Sequence, residues 1–359
     1  MLLFLAARDR SNAGQLVPVT AESQVPALSA IVPARNAAST LARCLDAIVA
    51  QRTDDTEIIV VDDGSTDETS AIASRYDVRL LKLPRNMGPS AARNRGAEMA
   101  RAPVLFFLDA DVALAPGALA RAKALMSSGE AGAIIGSYDD SPAAESTISR
   151  FKNLAHHHFH QRSRSDTTTF WGACGLVRRE TFLSLGGFDE RRFHIEDVEL
   201  GYRMTTHGIR IVLEPELQVK HLKRWTLRSL LTTDIWGRAI PWTLLWLEGR
   251  DLPPDLNFST DQRIAAVVAL AMAIVTPVAV FRPQLLMLLA ILVGVAIWLN
   301  RDLYRLLFKS GGFWLLINGF LLQELYYLYS IFSVGAGIAI YLARSLKRRL
   351  RSAQRREHD

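Results

Sequence analysis

The chain has 359 residues, 49% of them hydrophobic, with a formal net charge of +6 and two cysteines, Cys44 and Cys174. So few cysteines exclude a disulfide framework and suit a reducing compartment. The charge excludes a generally basic nucleic-acid binder: the terminal ARSLKRRLRSAQRREHD holds seven Lys/Arg against two acids, and the remainder is close to neutral. A basic tail of this kind suits anionic lipid head groups.

The opening MLLFLAARDR is apolar for too few residues to span a bilayer and runs into charge rather than a small-residue cleavage site. Residues 1–26 therefore read as a poorly ordered lead-in. ALSAIVPA then reads as a strand, and STLARCLDAIVAQ as a helix with Ser39 as its N-cap. EIIVVDD is a second strand, and STDETSAIASRY a second helix with Ser65 as a possible cap. VRLLKLP, GPSAARNRGAEMAR and PVLFFLDAD continue as strand, helix, strand. This alternation predicts βαβ units and a mostly parallel sheet in an α/β domain. In such sheets the ligand crevice lies beyond the carboxyl ends of the strands, where Asp62–Asp63 and Asp109–Asp111 fall.

After Lys220 the composition changes. WTLRSLLTTDIWGRAIPWTLLW holds Trp225, Trp236, Trp242 and Trp246, four of the chain's seven tryptophans, interleaved with arginines. That mixture suits amphipathic helices in a membrane interface, here assigned to residues 226–262. Ordinary packing of helices on the sheet is the alternative.

Residues 263–343 read as a membrane region. Ile264–Phe281 is free of charge for eighteen residues, Arg282–Pro283 interrupts, and Gln284–Leu299 follows, so the two read as a transmembrane hairpin. Leu325–Ala343 reads as a third span. FWLLINGFLLQ is apolar but short. Three spans place the basic tail, residues 344–359, on the far side, against the positive-inside rule. Four place it inside, but two of them must then come from the 32 residues Gly312–Ala343. A buried helical core is the alternative for all of these runs.

The chemistry begins at FFLDADV. Side chains one residue apart on a strand point to opposite faces, but at a strand end the chain is already turning and both acids can reach one ligand. Hard divalent cations prefer carboxylate oxygens and bridge them to phosphates, so Asp109 and Asp111 suit a metal–diphosphate. HIEDVELGYRM supplies a second acid pair, Glu196 and Asp197. Adjacent acids repel, which can hold one carboxyl's pKa up as a general base requires. In HHHFH, His156 and His160 share a helix face, but no nearby Cys or acid completes a metal site, so a partly exposed helix near the acceptor or the membrane is expected there.

IVPARNAASTLARCL, VVDDGSTDET, NMGPSAARNRGAEMA, FFLDADV, GACGLVRRETFLSLGGFDE and EDVELGYRM occur in that order. Together they resemble glycosyltransferase family 2, inverting nucleotide-sugar transferases with a GT-A fold (Rossmann-like, mostly parallel sheet), over residues 27–225. The resemblance implies that the Pro33, Ala34, Arg35, Asn36 turn lies along the nucleotide base. An acid at Asp62 or Asp63, Asp63 preferred, accepts from the base edge. Gly88 permits a tight turn, and Arg93 meets the phosphates. Asp109 contacts ribose or metal, Ala110 lies between, and Asp111 binds Mg²⁺ or Mn²⁺. Asp197 is the base, supported by Glu196 and Glu199. Gly172, Ala173 and Gly175 let a sugar approach the backbone, and Trp171 either stacks on it or is core.

HLKRW stands where processive members of the family carry Gln-x-x-Arg-Trp. His221 replaces Gln and is a candidate metal ligand; Arg224 is expected to clamp the diphosphate and Trp225 to line the acceptor entrance. The missing Gln weakens a polysaccharide-synthase reading. The expected protein is a membrane-bound glycosyltransferase using a UDP- or GDP-sugar and a lipid acceptor. Its place is the inner, cytoplasmic membrane, multi-pass, with the catalytic domain facing the cytoplasm. A processive synthase and an inactive membrane scaffold are the alternatives.

Overall fold

The structure, a computed structural model, describes residues 25–248 and 260–356. Most of the expected lead-in, part of the interfacial segment and the end of the basic tail lie outside the described residues. Strands and helices alternate from the start: β1 (Leu28–Ala34), α1 (Leu41–Val49), β2 (Thr56–Asp62), α2 (Thr69–Ala73), β3 (Arg79–Lys82), α3 (Pro89–Met99) and β4 (Val104–Leu108). Next come β5 (Val112–Leu114), α4 (Ala118–Ser128), β6 (Ala133–Tyr138), α5 (Thr147–Arg162) and β7 (Asp166–Thr167). β8 (Cys174–Arg178), α6 (Arg179–Ser184), α7 (Glu196–Thr206) and β9 (Ile211–His221) complete the domain.

The strands form one sheet in the order β3-β2-β1-β4-β8-β6-β9-β5, with β7 also beside β9. β3, β2, β1 and β4 are parallel, as are β6 and β9. β8 runs against both β4 and β6, and β5 and β7 run against β9. This is the expected α/β sheet, mostly parallel and mixed. Alternation along β1 divides the core between two faces. Leu28, Ala30 and Val32 pack with Leu41, Leu45 and Ile48 of α1. Ile31 packs on the other face with Ile59, Val61 and the Ala92 and Ala97 of α3. Both faces are covered, which is why β2 is buried along its whole length.

Neither expected serine cap forms. α1 is preceded by Thr40, and α2 begins only at Thr69. Ser65 is engaged elsewhere: its N–H donates to Asp62 Oδ1 over 2.9 Å and its Oγ accepts from Asn36 N over 3.0 Å. Tying the ends of β1 and β2 together shortens the helix that follows.

Beyond β9 come α8 (Leu227–Asp234), a π-helical turn (Ile235–Ala239) and α9 (Ile240–Leu247), then α10 (Thr260–Ala279), α11 (Leu286–Leu299) and α12 (Arg301–Arg356). Only two of the four tryptophans expected at an interface face outward, Trp236 at 60% and Trp246 at 53% exposure; Trp225 is buried. By length and composition two described helices can cross a membrane, Thr260–Phe281 and Arg301–Arg348, and the apolar helix Pro283–Leu299 is shorter. FWLLINGFLLQ and Leu325–Ala343, separate in the sequence reading, are one helix, because α12 departs from helical geometry only at Gly311 and Gly312. The start of α12 is not free: Leu303, Leu307 and Leu315 pack on Phe151 and Leu154 of α5.

Candidate active site

The strand ends are knitted first. β1 and β2 finish level, Ala34 opposite Asp62, and Asp63 N donates to Ala34 O over 2.8 Å. Asn36 takes a positive φ of 49°, which Asn tolerates, and its Oδ1 accepts from Thr66 N over 2.9 Å. Asp63 anchors the turn into α3: Oδ1 accepts from Met87 N at 2.6 Å and Oδ2 from Gly88 N at 2.9 Å. Gly88 has φ 95°, and a Cβ there would lie 3.1 Å from the Phe193 ring.

Arg93 rises from the second turn of α3 into a nest of acids. Nη2 donates to Asp109 Oδ1 over 2.6 Å and Nη1 to Glu196 Oε1 over 2.7 Å. A Cβ at residue 172 would lie 3.2 Å from the guanidinium carbon, so glycine there lets the arginine through. α7 starts abruptly at Ile195, a β-branched residue held at φ 54° and packed on Val198 and Leu245. The turn sets both acids on the cleft side. Asp197 Oδ1 accepts from Val198 N at 2.9 Å and Oδ2 from Gly172 N at 3.4 Å. Burial pushes the Glu196 carboxyl up to about 7, with Arg93 pulling it down and Asp197 pushing it further up. Burial also raises Asp197, against the pull of Arg93. One cation among three carboxylates cannot keep all of them comfortably ionised.

Asp111 meets a different partner. β5 pairs with β9 in the register Val112–His221, so His221 Nε2 comes 3.8 Å from Asp111 Oδ2. The His221 ring stacks on Tyr138, centroids 4.6 Å apart. Burial raises the Asp111 pKa, but the neighbouring His221 and the charge of Lys223 outweigh it and hold the carboxyl below its ordinary value. Among the described residues no three His, Cys, Asp or Glu side chains are grouped to hold a metal ion. Asp111 and His221 are at most two ligands of one.

These groups face one cleft of about 1040 Å³. The Pro33–Asn36 turn, Asp63 and Gly88 line one end. Arg93, Asp109, Ala110, Asp111, Glu196, Asp197 and Arg224 line it as well. Six expected site residues do not: Gly172, Gly175, Asp62, His221, Trp225 and Glu199, which is held by Arg203. Asp62 is turned into the loop, accepting from Ser65 N and Ser70 Oγ. His221 lies behind Asp111. Trp225 is buried against Leu230 and Tyr329, with Lys223 Nζ 4.3 Å from its ring centroid. Arg93, expected at the phosphates, has both terminal nitrogens engaged by carboxylates. The HHHFH helix, expected as partly exposed, sends His156 and His160 into the cleft wall beside Trp171. Their shared helix face was readable from the i, i+4 spacing; the contact of His160 with Trp171 was not. Arg238 and Trp242, also in the wall, carried no distinguishing signal among the neighbouring tryptophans.

The Glycosyl transferase family 2 profile matches residues 29–186. Validoxylamine A glucosyltransferase of Streptomyces hygroscopicus subsp. jinggangensis is 31% identical over 233 residues, covering 55% of this chain and 55% of that protein. Pre-mycofactocin glycosyltransferase of Mycobacterium tuberculosis is 27% identical over 238 residues, covering 60% and 47%. The chain thus spans about half the length of the curated relatives it matches. Among solved structures, mannosyltransferase PcManGT of Pyrobaculum calidifontis, in complex with GDP-Man and Mn²⁺, superposes with a TM-score of 0.54 at 17% identity, over 88% of this chain and 87% of that one. At that identity the likeness is one of fold. Motif order, sheet and profile agree: residues 29–186 of this chain are a glycosyl transferase family 2 domain, in a GT-A fold.

Proposed function

We propose that the protein is an inverting glycosyltransferase that moves a sugar from a nucleoside-diphosphate donor, a UDP- or GDP-sugar, to a hydroxyl of a membrane-proximal lipid acceptor. One observation carries the reading: Asp63, Asp109–Asp111 and Glu196–Asp197, distant in sequence, line a single cleft. The Pro33–Asn36 turn and Asp63 bind the nucleotide base. Arg224 meets the diphosphate. Arg93 is a positioning residue, locking Asp109 to Glu196. Asp111, with His221 3.8 Å behind it, would hold Mg²⁺ or Mn²⁺. Such an ion would supply positive charge to the departing nucleoside diphosphate.

Asp197 is the base. The acceptor oxygen forms its bond to the anomeric carbon as the bond to the diphosphate breaks. The hydroxyl proton passes to the Asp197 carboxylate, and the electron pair leaves on the phosphate oxygen. A raised pKa makes that carboxylate a better proton acceptor. α10 and α12 anchor the chain in the inner membrane with the catalytic half at the cytoplasmic face, Trp236 and Trp246 lying at head-group level.

The test is a donor screen on the full chain in lipid nanodiscs with Mn²⁺ or Mg²⁺, read as nucleoside-diphosphate release. One donor should release metal-dependently, and Asp197→Asn should abolish release. No nucleotide turnover with any donor, or full turnover by Asp197→Asn, sinks the reading. Mass spectrometry of the lipid product separates single addition from polymerisation.

A further inference from the structure

The wall that residues 222–242 lend the cleft is cationic. Its seven lining residues include Lys223, Arg224 and Arg238 and no acid. Lys223 and Arg224 directly follow His221, and Lys223 acts on the charge of Asp111. Arg238 is set elsewhere, close enough to His194 and Asp197 to act on theirs. It comes from the π-helical turn Ile235–Ala239. Such turns are rare and gather at functional sites. Here the turn brings Gly237 so close to His194 that a Cβ would sit 3.3 Å from the ring. It leaves Arg238 in the cleft wall, its side chain 42% exposed.

Arg238 shares its ion-pair partner. Asp234 Oδ1 lies 3.7 Å away, but both Asp234 oxygens are also bonded by Lys152 Nζ, at 2.8 and 2.6 Å, and Tyr329 OH adds a bond at 2.6 Å. Two cations thus share that one carboxylate, and the next acid whose charge Arg238 feels is Asp197, inside the cleft. The remaining contact is His156 Nε2, 3.2 Å from Arg238 Nη1. Burial, with the charges of Lys152 and Arg238, holds the His156 pKa well down, so the ring accepts from the guanidinium as a neutral group. Arg238 keeps free N–H donors and net charge toward the cleft. The exposed Trp236 and Trp246 lie on the same short segment, so the cation stands where a head-group layer would meet the cleft.

Resting on the glycosyltransferase reading, we infer that Arg238 is the anion-binding residue of the acceptor subsite. The acceptor is a hydroxyl compound carrying a phosphate, presented as a lipid head group. The phosphate takes the guanidinium fork, which presents the neighbouring hydroxyl to Asp197. The phosphate itself undergoes no covalent change.

The probe is phosphatidylglycerol, mixed with phosphatidylcholine in nanodiscs holding the full chain, with native mass spectrometry counting the lipid retained on release. Wild type should retain phosphatidylglycerol over phosphatidylcholine. Arg238→Gln should lower that retention by about tenfold or more, the scale of a lost charged hydrogen bond. Arg238→Lys should keep part of it, as a point charge without the fork, which also separates lost binding from lost folding. Arg75→Gln, an exposed cation just after α2 and outside the cleft, should retain as wild type does. Equal retention by Arg238→Gln overturns the inference, as does an equal loss in Arg75→Gln. If glycerol 3-phosphate displaces the lipid from wild type but does not bind Arg238→Gln, the anion site stands and the lipid source is overturned. UDP and GDP binding with Mn²⁺ is measured on the same samples. Its absence from wild type defeats the glycosyltransferase reading separately from the anion site.

Discussion

Arg93 and Glu196, 103 positions apart in sequence, meet at 2.7 Å with both side chains almost wholly withdrawn from water. The pair joins the helix that follows β3 to the helix that carries the proposed base. Its second arm, to Asp109, draws the end of β4 into the same unit.

Breaking this junction from one side should cost more than removing it. Arg93→Met leaves buried carboxylates without their cation, and a fall in unfolding free energy of about 3–5 kcal/mol is expected in denaturant titration. Adding Glu196→Leu should restore much of that stability while nucleotide release stays lost. A double variant no more stable than the single one would show that the ion pair is not the source of the cost.

The pH dependence follows from Asp197. A base works only when deprotonated, and burial raises its pKa. Activity should therefore be level at higher pH and fall as pH drops through that raised value. The midpoint should lie above the ordinary Asp value of about 4, because burial disfavours the carboxylate. Asp197→Asn should erase this limb together with about 10²–10⁴ of the rate. A limb centred at the ordinary carboxylate value would mark Asp197 as solvated and assign the base elsewhere.

Metal dependence separates Asp111 from His221. His221→Phe keeps a ring against Tyr138 and removes the nitrogen facing Asp111. The half-saturating Mn²⁺ concentration should rise by about 10–100-fold. Asp111→Asn should raise it further. Activation curves unchanged in both variants would remove the ion from this pair.

Gly88→Ala tests the donor loop. The positive φ and the contact with Phe193 should together cost about 1–3 kcal/mol. Nucleotide affinity should fall as the Asp63 anchor loosens. Adding Phe193→Ala relieves the contact but not the backbone strain, so recovery should be partial. Full recovery would show that the left-handed geometry carries no cost.

Legibility followed sequence distance. β1 to β4 were readable because each is apolar and bounded by turn residues, and their ends located Asp63 and Asp111 in advance. Helix starts were less so, since Ser65 had a second use thirty residues back that no local pattern reveals. The role of Arg93 was hidden for the same reason: its partners lie 16 and 103 residues away. Composition alone did not sort the tryptophan-rich segment into exposed and packed positions. Tryptophan serves a lipid interface and a packed wall equally well, and this stretch holds the exposed Trp236 and Trp246 beside the buried Trp225. In α12, apolar content suggested separate segments, whereas the backbone breaks only where two glycines adjoin.

The Asp234 junction bears on how such proteins can be recombined. Its carboxylate holds Lys152 of α5 and Tyr329 of α12, while its own helix leads into Gly237 and Arg238. A graft that kept everything up to His221 and attached foreign C-terminal helices would strand a buried ammonium and receive a trough open along one side. Exchange of these helices between related transferases should therefore succeed only when the exchanged piece begins before Trp225 and brings its own mate for Lys152.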